Sequence, residues 1–404
     1  MKEIEKKNTM LLVSSSTISK IGDLLFDYAN NTFLAGLNIN SMVLVGIYQS
    51  LENIVGVIFN LFGGVIADRF RRKKIIILTD FLSGLSCIVL SFINVQTWLI
   101  YAIIAANVFL ALLSSFSSPA YKAFTKEIVE RDTITQINSY LQTASTIVKI
   151  VVPVIAVVIY HWIGIHGALI LDGVSFIFSS LIVLLISPII EEIKREETFS
   201  LIIIFQDLRS GFGYLFRQRQ IFILIVLSAL VNFFLAGYNL LLPYGNQMFP
   251  RVTGGVYGTF LAAEAIGGLL GAFLSGKINK KLSTNQLMLF LGFSGGLLAT
   301  TPISYILFSN LVLLAVSPAL FNLFLTIFNI QFFSFVQRDV DTEFLGRVFG
   351  IIFTVALLFM PAGTGVFTIV LRPRFEYNFF FIGLAVMILS LIFGVLFHKA
   401  KPKI

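Results

Sequence analysis

Charge is scarce in this sequence: Asp, Glu, Lys and Arg make up 12% of its 404 residues, about half the ~25% of an ordinary soluble domain. A water-soluble chain of this length needs far more polar surface to cover its core. That scarcity excludes a soluble enzyme, a nucleic-acid-binding domain and a disordered chain. Cysteine is almost absent. Cys87 stands alone, so no internal disulfide framework and no multi-cysteine metal site can form. His161, His166 and His398 are the three histidines and are scattered, leaving no zinc constellation. A cleavable signal peptide is not evident either. The basic N-terminus runs into a long first span with no small-residue cleavage site, which reads as a retained signal anchor.

What the chain has in excess is apolar surface, with 57% hydrophobic residues, 42 Phe and a mean hydropathy of +0.91. The Phe content suits lipid-facing and cavity-lining surfaces. A membrane-crossing helix needs ~20 mostly apolar residues. Runs of that kind predict twelve spans, at 10–37, 41–66, 75–94, 97–118, 139–160, 166–188, 220–246, 254–276, 284–307, 310–335, 346–370 and 376–398. Transmembrane strands would give shorter, alternating segments. The expected class is therefore an all-α integral membrane protein. With these spans, 24 of the 29 Lys and Arg fall on one side, Arg251, Arg372 and Arg374 on the other, and Lys20 and Lys149 within spans. The positive-inside rule then predicts a multi-pass protein of the plasma membrane with both termini cytoplasmic. It also accounts for the net charge of +8 by topology, with no nucleic-acid partner.

The longest polar segment opens with Glu191-Glu192-Ile193-Lys194-Arg195-Glu196-Glu197, and Phe199 to Phe216 then has the spacing of an interfacial amphipathic helix. It divides the chain into a six-helix bundle at 1–189, a cytoplasmic linker at 190–219 and a second six-helix bundle at 220–404. The halves echo each other. Gly63-Gly64-Val65-Ile66-Ala67-Asp68-Arg69-Phe70-Arg71-Arg72-Lys73 returns as Gly271-Ala272-Phe273-Leu274-Ser275-Gly276-Lys277-Ile278-Asn279-Lys280-Lys281, 208 residues on. Ile128-Val129-Glu130-Arg131-Asp132 returns as Phe335-Val336-Gln337-Arg338-Asp339, 207 residues on. Two echoes at nearly one spacing predict pseudo-symmetric parallel repeats.

The first of these segments resembles the loop 2–3 signature of the major facilitator superfamily, with Arg71 where that family usually has glycine. Gly22-Asp23, Asp80, Pro119, Tyr257-Gly258 and Gly346-Arg347-Val348 are similar to its macrolide-efflux and siderophore-exporter branch. The resemblance covers nearly the whole chain. It implies two bundles around one site that opens alternately to each side, and macrolide-like or other hydrophobic substrates. It also marks Gly64, Asp68, Arg69, Arg72, Lys73 and Asp80 as a cytoplasmic gate motif. Asp68, a lone acid at a helix end among cations, can latch that side by ion pairs or against the N-terminus of another helix. Asp80 is expected to partner the loop cations.

An ionisable side chain near the bilayer centre costs at least ~2.5–3.5 kcal/mol, so it lines a cavity or finds a partner. Lys20, Asp23, Asp27 and Asn31 recur at spacings of three, four and four and share one helical face. Lys20 with Asp23 can also neutralise each other within the helix. Glu52, Gly56, Asn60 and Gly64 form a second stripe at spacing four. An acid at mid-depth whose surroundings change between states can take up and release a proton. Asp23, Asp27 and Glu52 are the candidates for that task. Glu264 is the candidate for substrate charge or a second proton site. Lys20, Asn31, Lys149, Asn232, Tyr238, Asn239 and Asn329, with Asn322 and Gln331 beside them, are expected to line a substrate cavity. Lys149 can pair with Glu52 or Glu264, and Asp172, in the outer part of its span, is expected to be wetted or paired.

Gly271 to Lys277 fits the start of a phosphate-binding loop, but Ile278 replaces the magnesium-binding Ser or Thr and no strand precedes it, so no ATP is expected. No Ser-His-Asp set or metal-ligand cluster lies in or beside the spans. The expectation is a monomeric secondary transporter rather than an enzyme, without cofactor or metal. Its partners are protons, the lipid bilayer and a small amphiphilic substrate, and its work is proton-coupled efflux. The alternatives are a lysophospholipid flippase, a siderophore or nutrient carrier using Lys20 and Lys149 for an anionic group, and a non-transporting receptor or immunity protein.

Overall fold

The computed structural model describes residues 2–37, 41–130, 133–189, 213, 215, 218–278, 283–341 and 345–400. Among them there are helices and no strand. The proposed amphipathic segment at 199–216 lies almost wholly outside the described residues. Two compact units form, Met1–Phe199 and Ser200–Ile404.

The first unit contains α1 (Glu3–Ala35), α2 (Ser41–Arg69), α3 (Arg72–Ser91), α4 (Gln96–Ile128) and α5 (Ile134–Leu184). At ~1.5 Å per residue, the 51 residues of α5 are well over twice as long as a ~30 Å hydrocarbon core. The helix breaks at Gly164, whose φ of 61° and ψ of −163° suit a residue without Cβ. Both ends of α5 return to the end of the unit where α4 stops, since Ile189 N–H donates to Glu127 O at 2.8 Å. The expected spans at 139–160 and 166–188 are thus the two arms of one broken helix.

The second unit contains α6 (Arg219–Leu241), α7 (Val256–Gly276), α8 (Thr284–Ala299), α9 (Thr301–Phe308), α10 (Leu311–Asp339), α11 (Leu345–Val370) and α12 (Asn378–Ala400). Ser283 opens α8 with a capping box, its Oγ accepting from Gln286 N–H at 3.4 Å while Gln286 Oε1 accepts from Ser283 N–H at 2.9 Å. Asn310 caps α10 by accepting from the N–H groups of Val312 and Leu313. Pro302, in the first turn of α9, interrupts the run expected as one span at 284–307.

Nine helical stretches among the described residues are long and apolar enough to cross a bilayer, against the twelve expected. Two physical features contribute to the difference. Gln136–Leu184 is one continuous run containing the Gly164 break, and α1 carries Lys20, Asp23 and Asp27 in its middle.

Glycines set the closest helix crossings, and they do so the same way in both units. A Cβ on Gly63 of α2 would overlap Ser115 O of α4, and a Cβ on Gly271 of α7 would overlap Leu323 O of α10. Each pair is 52 residues apart, and the pairs differ by 208, the spacing of the sequence echo. Gly84 and Gly173 face each other between α3 and α5, as Gly295 and Gly383 do between α8 and α12. The Phe residues divide: Phe81, Phe178, Phe273, Phe293 and Phe381 are exposed on helix faces, in line with expectation, while Phe249, Phe260, Phe321, Phe328, Phe332, Phe379 and Phe397 are fully buried in the second unit. Rings of Tyr238, Phe321, Phe379, Phe249 and Phe260 pack at centroid separations of 5.0–6.2 Å in tilted geometries, within the centroid range of favourable aromatic pairs.

Candidate functional site

Asp27 and Asn31 of the α1 polar stripe meet α2 within the first unit. Tyr48 Oη donates to Asp27 Oδ1 at 2.9 Å and receives Asn30 Nδ2 at 3.4 Å. Asn31 donates to Asp27 O, and its Oδ1 accepts from Gln49 Nε2 at 3.1 Å. Asn107 of α4 donates to Tyr48 O at 2.8 Å and fixes the tyrosine from behind. A phenol can donate to a carboxylate or accept from a carboxylic acid, so the Asp27–Tyr48 hydrogen bond survives gain or loss of a proton.

The second unit repeats this pairing with the roles exchanged. Tyr238 on α6 donates to Glu264 Oε1 on α7 at 2.6 Å. Asn322 of α10 donates to Glu264 O at 2.9 Å. Tyr238 is buried against Phe321 and Phe379. Neither acid takes part in an ion pair among the described residues.

Other expected site residues disperse. Glu52 is exposed one turn beyond Tyr48 and makes no hydrogen bond among the described residues. Lys149 and Asn329 are exposed, and Lys149 forms no ion pair among the described residues of the first unit. Asn232 donates to Ser228 O of its own helix, and Asn239 is half-buried on α6. Gln331 donates to Ser275 Oγ at 3.0 Å, a helix-packing bond rather than a cavity group.

Asp80 corrects its expectation. It is buried and accepts from Ser179 Oγ at 2.6 Å and Tyr121 Oη at 2.9 Å, with Ser15 joining the cluster. The loop cations bond elsewhere, because Asp80 sits two turns inside α3, below their reach. Arg72 pairs with Glu127 at 2.7 Å and donates to Ala67 O. Lys73 donates to Leu184 O and Ile186 O, satisfying carbonyls at a helix C-terminus. The surroundings of Gly64 and the side chains of Asp68 and Arg69 lie outside the described residues. Asp172 is not wetted: it is fully buried, with Oδ2 accepting from the Cys87 thiol at 3.2 Å.

The N-terminal segment straps this basic end. Asn8 donates to Ile128 O and Ser187 O and accepts from Ser187 N–H. Glu5 accepts from the N–H groups of Glu130 and Lys2, which hold its carboxyl below the ordinary range. The Glu130 carboxylate in turn raises the Lys2 ammonium above its usual value.

The Arg72–Glu127 side chains are only 17% and 10% exposed. Arg72→Ala removes from Glu127 a cation held at 2.7 Å, and breaking a buried pair costs up to about 3–5 kcal/mol. The expected result is a clearly lowered unfolding midpoint in detergent, with most of the loss recovered in the Arg72→Ala/Glu127→Ala double variant. Equal midpoints for Arg72→Ala and wild type would show the pair to be idle.

A chamber of about 650 Å³ lies within the first unit between α1, α3, α4 and α5, lined by Lys20, Asp23, Asp80, Tyr121, Lys122 and many serines. It collects three of the expected site residues, Lys20, Asp23 and Asp80, that sequence spacing placed on two different helices. Sequence reasoning missed Tyr48, Tyr121 and Glu127. Tyr48 was within reach, since it extends the Glu52-Gly56-Asn60-Gly64 stripe by one turn.

Comparison with known proteins agrees with this architecture. The family model described as Major Facilitator Superfamily matches residues 18–364. The chain is 23% identical to "Macrolide efflux protein A" of Enterococcus faecalis over 74% of its own length and 92% of that protein. It is 25% identical to "Uncharacterized MFS-type transporter YkuC" of Bacillus subtilis over 99% of its length and 93% of the relative. Among solved structures, a point mutant of the nucleoside transporter NupG superposes with a TM-score of 0.74 at 14% identity, covering 98% of this chain and 99% of that one.

Proposed function

The chain belongs to the major facilitator superfamily, and from that premise we propose that this multi-pass membrane transporter is a proton-coupled exporter of amphiphilic or hydrophobic compounds. The observation that carries the reading is the carboxyl–phenol pair, Asp27–Tyr48 in one unit and Glu264–Tyr238 in the other. Each is an acid in an apolar segment held by a group that tolerates both protonation states, which is what a proton site needs. Asp23 and Glu52, exposed on the same stretches of α1 and α2, complete the proposed proton set. Export of macrolide-like substrates is supported by the named function of the efflux relatives. In this reading twelve helices cross the plasma membrane as bundles at 1–189 and 220–404, with the linker at 190–219 and both termini in the cytoplasm. One monomer works by alternating access, and Asp68 with the loop 2–3 cations gates the cytoplasmic side.

Lys20, which has no ion-pair partner among the described residues, favours a second reading, a carrier for an anionic lysolipid, siderophore or nutrient. Purified protein in vesicles with an imposed pH gradient and a fluorescent amphiphilic cation separates the two. Gradient-driven movement abolished by a protonophore is the expected outcome. No movement of the cation, with gradient-driven movement of an anionic probe instead, would replace the first reading by the second.

A further inference from the structure

The chamber of the first unit holds a set of polar groups that the fold does not use. Lys20 and Asp23 are one turn apart on α1, and both line it. Opposite charges at this spacing ordinarily pair, yet no ion pair joins them, and neither side chain makes a hydrogen bond among the described residues. Ser83, Ser114, Ser118, Asn138 and Gln142 line the same space and have no side-chain hydrogen bond among the described residues either. The contrast with Asp80 is informative. That acid, on the same wall, is satisfied by Ser179 and Tyr121. The chamber therefore contains spent acceptors beside an unspent ammonium, an unspent carboxylate and several unspent amides and hydroxyls. Asp23, Ser114, Ser118, Asn138 and Gln142 are exposed on the chamber wall and Lys20 is half-buried, so a ligand entering the chamber can reach them. The charged groups on the lining, Lys20, Lys122, Asp23 and Asp80, balance when all are ionised, so neither a pure cation nor a pure anion complements it.

We propose that this chamber binds a zwitterionic group, with the ligand's anion on Lys20, its cation on Asp23, and neighbouring donors and acceptors on the free serines and amides. The volume of about 650 Å³ accommodates a compact polar group with part of an apolar chain. The inference rests on the export reading and deepens it by specifying the polar end of the amphiphile, and its test is a binding measurement that needs no flux.

The experiment is calorimetry on the full chain in a neutral detergent with four probes. These are an α-amino fatty acid, the fatty acid and the fatty amine of equal chain length, and serine as a tail-less zwitterion. Wild type is expected to bind the α-amino fatty acid at least ~10-fold more tightly than either singly charged probe, since each charge-assisted contact is one of the stronger hydrogen bonds. Lys20→Met removes the advantage over the amine, and Asp23→Asn removes the advantage over the fatty acid. Lys20→Arg and Asp23→Glu keep the wild-type ranking, which separates charge recognition from misfolding. Serine bound with the same dependence on Lys20 and Asp23 identifies a water-soluble zwitterion as the ligand, and serine unbound identifies an amphiphile. A wild-type ranking without zwitterion preference, or one unchanged in both neutral variants, overturns the proposal. Failure of gradient-driven transport with the ranking intact would instead strike the export reading alone.

Discussion

Asp27→Asn is expected to lower pH-gradient-driven export by about 5- to 150-fold, the range of a coupling free energy of ~1–3 kcal/mol. The reasoning runs through one hydrogen bond. Tyr48 serves Asp27 in either protonation state, whereas an asparagine keeps the shape and a hydrogen-bonding oxygen but carries no exchangeable charge. The site then behaves as if permanently neutral. Substrate exchange down its own gradient is expected to persist, because the helices and the Asn31–Gln49 bond beside them are untouched. Tyr48→Phe keeps the acid but removes the hydrogen bond that serves both of its protonation states, and is expected to lower gradient-driven flux by less than Asp27→Asn does. Glu264→Gln is the matching change in the second unit. Loss there equal to that of Asp27→Asn marks two proton sites, and loss of binding with intact proton drive marks Glu264 as the group that meets substrate charge. Full gradient-driven export in both Asp27→Asn and Glu264→Gln would remove the carboxyl–phenol pairs from the mechanism. The assay is proton-driven flux in vesicles, with equal amounts of folded protein checked by gel filtration.

The largest effects on stability are expected at the glycine crossings. Gly63→Val and Gly271→Val each drive side-chain atoms into a main-chain carbonyl, Ser115 O or Leu323 O. Overpacking a core typically costs ~1–3 kcal/mol, and here the obstructing atom is backbone, which cannot rotate away. Each substitution is expected to exceed that range or to prevent accumulation of folded protein. Gly276→Val is the control, because a Cβ at Gly276 meets open space. Thermal unfolding in detergent, with yield from the membrane fraction, reads the result. Gly63→Val and Gly276→Val with equal midpoints would show that α2 and α4 can separate without cost. The same argument ranks the small residues of the second unit. On α8 a Cβ at Gly292 meets the Ser390 hydroxyl and one at Gly296 only the Met387 sulfur, whereas the tight backbone contact is at Gly295, against Gly383 O. Spacing names a helical face, whereas the partner helix selects which residue on that face is crossed.

Much of this protein was legible in its residues. Scarce charge and long apolar runs determined an all-helical membrane protein, because hydrocarbon demands that each backbone group be satisfied within its own segment. The echo at 208 residues marked the repeat, and the glycines at its start are the ones that cross neighbouring helices at the same separation. Spacing put Lys20, Asp23, Asp27 and Asn31 on one helical face, and the structure divides that stripe, with Lys20 and Asp23 lining the chamber and Asp27 and Asn31 meeting α2. Pairing was decided only by the tertiary structure. Nothing in the order of residues says that Asp27 meets a phenol 21 positions away, that Asp80 turns to Ser179 99 positions away, or that Arg72 chooses Glu127 over Asp80. Those choices follow from which helices pack side by side and at what depth. Lys20 and Asp23 show the same limit from the opposite direction. Their spacing permits a bond, and the fold instead leaves both open to the chamber, where the walls from α3, α4 and α5 supply a space that one helix cannot enclose.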